Sequence, residues 1–355
     1  MAKSFKTLLG DDMVSTRTML HEAIPITGTI CSGTYQETPG TELNIKKFSH
    51  GMFESVYDYP YLSSSANHIF DLSYGYSTNF SASSHTQNSK KVNIYNQMAQ
   101  VLMGYDVSGN IRNFDSDGTL DDNSGRMDHC FFMNFSRLLS KDEIKKNSFR
   151  LGMYVSGTTE VKTTFQTIGD YESANEFRTS PAGDYGLLFT SSIGKGGTSG
   201  NAASVGLIFY QAGVVVLTSS IFTGEFGDQA GNKGALYNSG PNAVNTFQTA
   251  STIEQMCDGF RHRIDDIDFN NTIELNSSIY FCRVNHNEFN YSSNPTYVSG
   301  SKLLVKNNVN DLPVSYITTI GLYSPANELL AVAKLSEPLR KDPNTELTLR
   351  VRLDY

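Results

Sequence analysis

The last nine residues alternate without a break. Leu347, Leu349, Val351, Leu353 and Tyr355 share one parity, and Thr348, Arg350, Arg352 and Asp354 share the other. Successive side chains of a strand point to opposite faces, so this is a period-two strand with one apolar face. Such a strand has to complete its ladder, within its own chain or across to another. The preceding residues fit the same scheme. Tyr316 to Tyr323 reads as a strand, Ser324-Pro325-Ala326-Asn327 as a turn, and Glu328 to Leu335 as the returning strand.

Composition supports a β-rich reading of the whole. Only 18 % of the 355 residues are charged, while 19 Tyr and 21 Phe rule out the aromatic-poor signature of disorder. Few charges, many uncharged polar residues and many aromatics also suit surfaces buried in an assembly. The net charge is −8, and the densest basic runs are the pairs Lys46-Lys47, Lys90-Lys91 and Lys145-Lys146. Gripping phosphates needs a basic face, so nucleic acid is excluded as a partner. No apolar stretch follows the basic start, and none approaches a membrane span; the chain reads as soluble and made in a cytosol. Cys31, Cys130, Cys257 and Cys282 are far apart, which argues for buried free thiols rather than a metal centre.

Four helices are expected. Val92, Tyr95, Ala99 and Leu102 recur at helical spacing over 88–103, with Asn93, Asn96 and Gln100 facing away and Gly104 as the stop. Ser140 with Glu143, and Ser251 with Glu254, each form an S-x-x-E box that predicts a helix start; the second helix runs to about Ile264. Met13 to Ile24 holds a short helix ending before Pro25, and Ile26 to Ile30 a strand. Tyr185 to Phe189 is a strand. Val205 to Tyr210 and Val214 to Leu217 flank the loop Gln211-Ala212-Gly213 as a hairpin, and the second of these is apolar on both faces, so it is covered on both sides.

Candidate chemistry is thin. Asn113, Asp115, Asp117, Gly118, Leu120 and Asp121 match six positions of an EF-hand loop, but Ser124 stands where a bidentate Glu is required, so the stretch reads as a turn. Gly194 to Gly200 lacks the phosphate-loop spacing and reads as a loop tip. Asp265, Asp266 and Asp268 could in principle supply a carboxylate pair, but neighbours in a strand face opposite ways; a solvated edge is the simpler reading. The seven histidines are scattered, and neither Cys130 beside His129 nor Cys257 near His262 makes a nucleophile site.

The series Phe260-Arg-His-Arg-Ile264, Asn271 to Ser277, Tyr280 to Tyr297, Tyr316 to Tyr323, Glu328 to Ser336 and Leu349 to Tyr355 resembles a family of virion structural proteins of T4-like myoviruses of marine cyanobacteria and related marine bacteria. Gly51 to Ser65 and Val92 to Tyr105 share the likeness, which is least clear over 155–250. The resemblance implies a tail, baseplate or neck protein, the baseplate foremost, found in the virion after assembly in the host cytoplasm. It implies no catalytic set and no cofactor, and its partners are copies of the chain and other virion proteins. This is an analogy of family, not of site.

The reading is therefore an α+β, mainly β protein of antiparallel, sandwich-like sheets with a few short helices. Its expected regions are an N-terminal arm and mixed α/β assembly region over 1–150, a Gly/Ser/Thr-rich β region over 151–250, and a C-terminal β domain over 251–355 ending in an edge strand. The expected assembly surface is Phe289, Tyr291, Tyr297, Tyr316, Tyr323, Leu349, Val351, Leu353 and Tyr355. In the loop from Asn285 to Tyr297, Asn and Ser side chains bond the backbone in place of a ladder, leaving Phe289, Tyr291 and Tyr297 as anchors. That loop serves either docking or the packing of its own domain. Two rival functions stand beside the non-enzymatic structural role: a host-attachment module that contacts the host surface, and a polysaccharide hydrolase using the Asp265–Asp268 carboxylates.

Overall fold

The computed structural model describes residues 5–35, 42–118, 125–157, 162–190, 204–222, 249–292, 298–299, 302–303, 310 and 312–355. In chain order the strands are β1 Met13–Thr27, β2 Ile45–Lys47, β3 Glu54–Tyr57, β4 His68–Tyr76, β5 His129–Phe135, β6 Glu143–Ile144, β7 Arg150–Gly157, β8 Lys162–Gly169 and β9 Arg178–Ser180. They continue as β10 Gly183–Phe189, β11 Ser204–Phe209, β12 Val214–Thr218, β13 Ile264–Val284, β14 Val298–Ser299, β15 Lys302–Leu303, β16 Ser315–Tyr323, β17 Leu329–Lys341 and β18 Leu347–Asp354. Among the described residues four α-helices join them: α1 Gly28–Ser32, α2 Asn88–Leu102, α3 Arg137–Ser140 and α4 Ile253–Arg261. The protein is mainly β, with a large antiparallel sheet of 14 strands and few short helices.

The chain forms two compact units, residues 20–273 and residues 1–19 with 274–355. Both breaks expected near 150 and 250 fall inside the larger unit.

In the larger unit the strand order is β13-β7-β8-β10-β11-β12-β5-β4-β3-β2, with β9 on β10 and β6 on β13. All five residues of β12 are buried, as its uninterrupted apolar run requires. The hairpin of β11 and β12 forms with Phe209 opposite Val214. The neighbouring β5 shows how both faces are covered. Phe132 packs with Tyr95 of α2 and with Phe114, at 6.4 and 5.6 Å between ring centres. Phe131 points the other way, onto Phe260 of α4 at 4.6 Å and Phe222 at 6.0 Å. The Tyr95–Phe132 and Phe131–Phe222 pairs are edge-to-face, a geometry that adds to the gain from burying the rings.

Helix α2 forms where its spacing predicts. Tyr95, Ala99 and Leu102 are buried, Asn93 and Gln100 are exposed, and Gly104 ends it at φ +76°, a region that favours glycine. Several local expectations fail. Met13 to Ile24 is strand, not helix, and Pro25 sits inside β1. The expected strand Ile26 to Ile30 stops at Thr27, because Gly28 begins α1. A Cβ on Gly28 would lie 2.3 Å from the carbonyl oxygen of Ile264, so only glycine lets the two backbones approach this closely. Ser140 ends α3 rather than starting a helix. Ser136 caps α3, accepting from the Leu138 amide, and Glu143-Ile144 joins the ladder of β13. The box at the start of α4 is displaced by one residue: Thr252 and Gln255 bond each other's backbone amides at 3.2 and 2.9 Å.

In the smaller unit β18 pairs antiparallel with β13, from Val284 opposite Leu347 to Ser277 opposite Asp354. The first residues of β1 belong here as well, with Ser15 against Ser278 and Arg17 bonded to Glu274. Strands β16 and β17 form a separate two-stranded ribbon, and β14 and β15 a short hairpin.

Candidate assembly surface

The terminal strand keeps its predicted alternation and closes its ladder inside the chain. Thr348, Arg350, Arg352 and Asp354 are exposed, Leu347, Leu349 and Leu353 half-buried, and Val351 buried. Val351 therefore serves the unit's own interior. Tyr355 is 73 % exposed, its backbone exchanges both hydrogen bonds with Asn276, and its hydroxyl lies 3.1 Å from Ser278 Oγ.

The loop after β13 is organised by polar side chains as its composition suggests. Asn290 Nδ2 donates to the His286 carbonyl at 2.8 Å, and Glu288 accepts from the Asn285 amide at 3.1 Å and from Lys6 at 2.6 Å. These bonds from Lys6 and the amide lower the Glu288 carboxyl below its ordinary range. Lys341, at the end of β17 and fully buried, donates to the His286 carbonyl, Asn290 Oδ1 and the Asp342 carbonyl at 3.1, 2.7 and 2.8 Å. All three of its donors are used, so its charge stays satisfied away from water. Ser315 Oγ donates to the Phe289 carbonyl, and Phe289 itself adopts a left-handed φ of +54°. Phe289 and Tyr291 are left exposed; Tyr297 lies outside the described residues. Lys341 carried no sequence signal, because nothing in Arg340-Lys341 distinguishes it from a solvated pair.

The ribbon extends the apolar surface further than the tyrosines alone. Ile320, Leu322, Ala331, Ala333 and Leu335 are half-buried on one face. Tyr316, Tyr323, Leu329, Leu330 and Val332 are exposed, Leu330 at 69 %. Phe5 packs edge-on against Tyr323, with ring centres 5.0 Å apart. Strand β1 stands at the end of the sheet order, and thirteen of its fifteen residues are exposed, with Met13, Val14, Met19 and Leu20 among them. Sequence reasoning missed β1 because a strand exposed on both faces has no burial period to read.

The chemical candidates of the larger unit resolve into structural roles. Asp115 accepts from the amides of Asp117 and Gly118 at 2.9 and 3.1 Å, which makes this part of the EF-hand-like stretch an Asx turn; residues 119–124 lie outside the described residues, as does the glycine stretch 194–200. Asp265, Asp266 and Asp268 lie on β13, with Asp265 and Asp268 exposed and Asp266 half-buried. The Cys130 thiol is buried, lies 3.6 Å from the Met127 carbonyl, and is pushed far above the thiolate range by desolvation. Cys31 and Cys257 are likewise buried free thiols, and Cys282 is half-buried.

One polar cluster was not foreseen. Arg261 of α4 is fully buried. Its Nε donates to Glu54 at 3.0 Å, one terminal nitrogen donates to Asp258, and the other donates to the Cys31 carbonyl at 2.9 Å. Lys47 lies 2.7 Å from Asp258, 3.1 Å from Glu254 and 3.8 Å from Glu54. Glu54, Glu254 and Asp258 have the spacing of a metal-ligand trio, but the Lys47 ammonium already sits among their oxygens. The cluster ties α4 to β2 and β3. Burial works against the Lys47 charge, yet Asp258 and Glu54 outweigh it and raise its pKa.

No described helix is long and apolar enough to cross a membrane. No family model, curated protein or solved structure matches this chain.

Proposed function

We propose that this chain is a structural subunit of a tailed-bacteriophage virion, most simply of the baseplate, acting by protein–protein assembly and not by catalysis. The reading joins two supports. One is the likeness of the series of stretches between Phe260 and Tyr355, and of Gly51 to Ser65 and Val92 to Tyr105, to virion structural proteins of marine myoviruses. The other is physical, and it carries the proposal: long strands of the smaller unit hold large apolar side chains in water. A two-stranded ribbon is marginal by itself, and an exposed strand edge is a template for another chain. Surfaces of this kind are completed by a protein partner, either a copy of the chain or a neighbouring virion protein.

The test is genetic and physical together. Leu330→Lys with Val332→Lys is expected to leave the folding of the purified chain unchanged and to block its incorporation into particles in a complementation assay. Particles that incorporate the double variant at the normal copy number would overturn the ribbon's role. Normal particles lacking the chain, together with binding of the purified protein to host cells, would instead favour the host-attachment reading.

A further inference from the structure

We propose that the cluster beneath α4 stores a proton: Glu54 keeps its carboxyl proton in the folded chain up into the neutral range, and losing it loosens α4 from β2 and β3. The argument begins with a charge count. Two permanent cations, Arg261 and Lys47, face three carboxylates, Glu54, Glu254 and Asp258. One oxygen of each carboxylate lies within 4.8 Å of the other two. Glu254 is the most exposed of the three, so water can stabilise its charge; Asp258 is buried but has the closest contacts to both cations, Lys47 and Arg261; Glu54 is only 1 % exposed. Its Oε2 accepts from Arg261, but its Oε1 is buried with no hydrogen bond among the described residues. Lys47 sits closer to Asp258 and Glu254 than to that oxygen. The surplus negative charge is therefore cheapest to remove at Glu54.

The remaining groups around the site do not reverse this. From α1 the Cys31 carbonyl engages Arg261, and the Cys31 and Cys257 thiols stay protonated because they are buried. His262 of the following turn faces Glu42, with Nε2 and Oε1 3.9 Å apart. Opposite Glu54 on β4 stands the uncharged Leu72. Burial first, and then the charge of Asp258, raise the Glu54 carboxyl to about 7, against the pull of Arg261 and Lys47.

The sign follows from linkage. A carboxyl that titrates higher in the folded chain than in the unfolded one gives stability that is full below the unfolded pKa. That stability is lost as pH rises through the folded pKa. Urea unfolding of the full chain, followed from about pH 5 to about pH 8, reads this directly. The wild-type midpoint is expected to fall with rising pH relative to that of Glu54→Gln, the isostere of the neutral acid. Glu254→Gln removes the surplus carboxylate at its exposed member, so its midpoint should fall less steeply with pH than that of the wild type. Asp115, Asp170 and Asp266 are also raised by burial, and His85 and His129 lowered by it; their contributions cancel in the difference between wild type and variant. Parallel curves for wild type and Glu54→Gln would overturn the proposal. Should that variant not fold, infrared titration of the wild type decides. A buried carboxylic-acid carbonyl band that fades as pH rises past neutrality supports the proton, and no such band overturns it.

Discussion

Strand β12 of the larger unit and β1, whose first residues, Met13–Met19, belong to the smaller unit, are opposite ways of using apolar residues. Every residue of β12 is buried, whereas thirteen of fifteen in β1 are exposed. Charge does not explain the contrast in the expected direction. The smaller unit carries 11 Lys and Arg against 10 Asp and Glu, leaving 17 against 26 for the larger one. The unit that exposes more of its strands is therefore the one nearer neutrality, where repulsion between copies is weakest. Its exposed strand positions include Leu, Val, Met and Tyr beside a few charges such as Arg17, Lys334 and Glu337. The larger unit carries its own core, while the smaller one keeps many large apolar side chains exposed.

The sharpest way to break this comparison is to damage each interior and compare the costs. Phe132→Ala removes a ring fully enclosed by Tyr95 and Phe114, so it should destabilise the chain by about 3–5 kcal/mol in urea unfolding. Arg261→Met should cost a similar amount, about 3–5 kcal/mol, because it strips buried carboxylates of their cation while roughly preserving volume. In the smaller unit the corresponding interior position is Val351, where Val351→Ala should cost only roughly 1–2 kcal/mol, two methyl groups' worth of burial. A loss at Val351 as large as that at Phe132 would mean that the smaller unit is as self-sufficient as the larger.

How much of this was legible in the sequence depends on how locally each decision is made. The alternation of Leu347 to Tyr355 and the spacing of Tyr95, Ala99 and Leu102 were readable because a single buried face imposes a period on neighbouring residues. The start of α4 was misread by one residue. Ser251 gives its carbonyl to Lys91 at 2.7 Å, and Glu254 gives its carboxylate to Lys47, partners more than a hundred residues away that no local pattern reveals. Arg261 and Glu54 are separated by 207 residues, so their pairing could not be inferred from spacing either. The candidate surface was partly legible for the same reason. Tyr316, Tyr323 and Tyr355 are exposed, but parity cannot say how deeply a strand's apolar face is covered, and Val351 is buried while Leu349 and Leu353 are half-buried. The length of the exposed edge in β1 left no periodic trace at all.

The smallest expected effect on stability is the most informative about function. Val14→Lys on β1 and Leu330→Lys on β17 replace exposed apolar side chains that are 45 % and 69 % accessible. Both positions are exposed, so each variant should unfold within about 0.5 kcal/mol of the wild type. Lysine at an exposed edge or ribbon instead charges the surface that a partner strand would have to cover, and desolvating that charge opposes association. Sedimentation of the purified chain over a range of concentrations, with and without virion extract, separates the two effects. Unchanged unfolding with weakened association places the function of these strands in assembly. Weakened unfolding without any change in association would instead mean that Val14 and Leu330 support the fold of their own unit, and the contrast with β12 would then be one of degree.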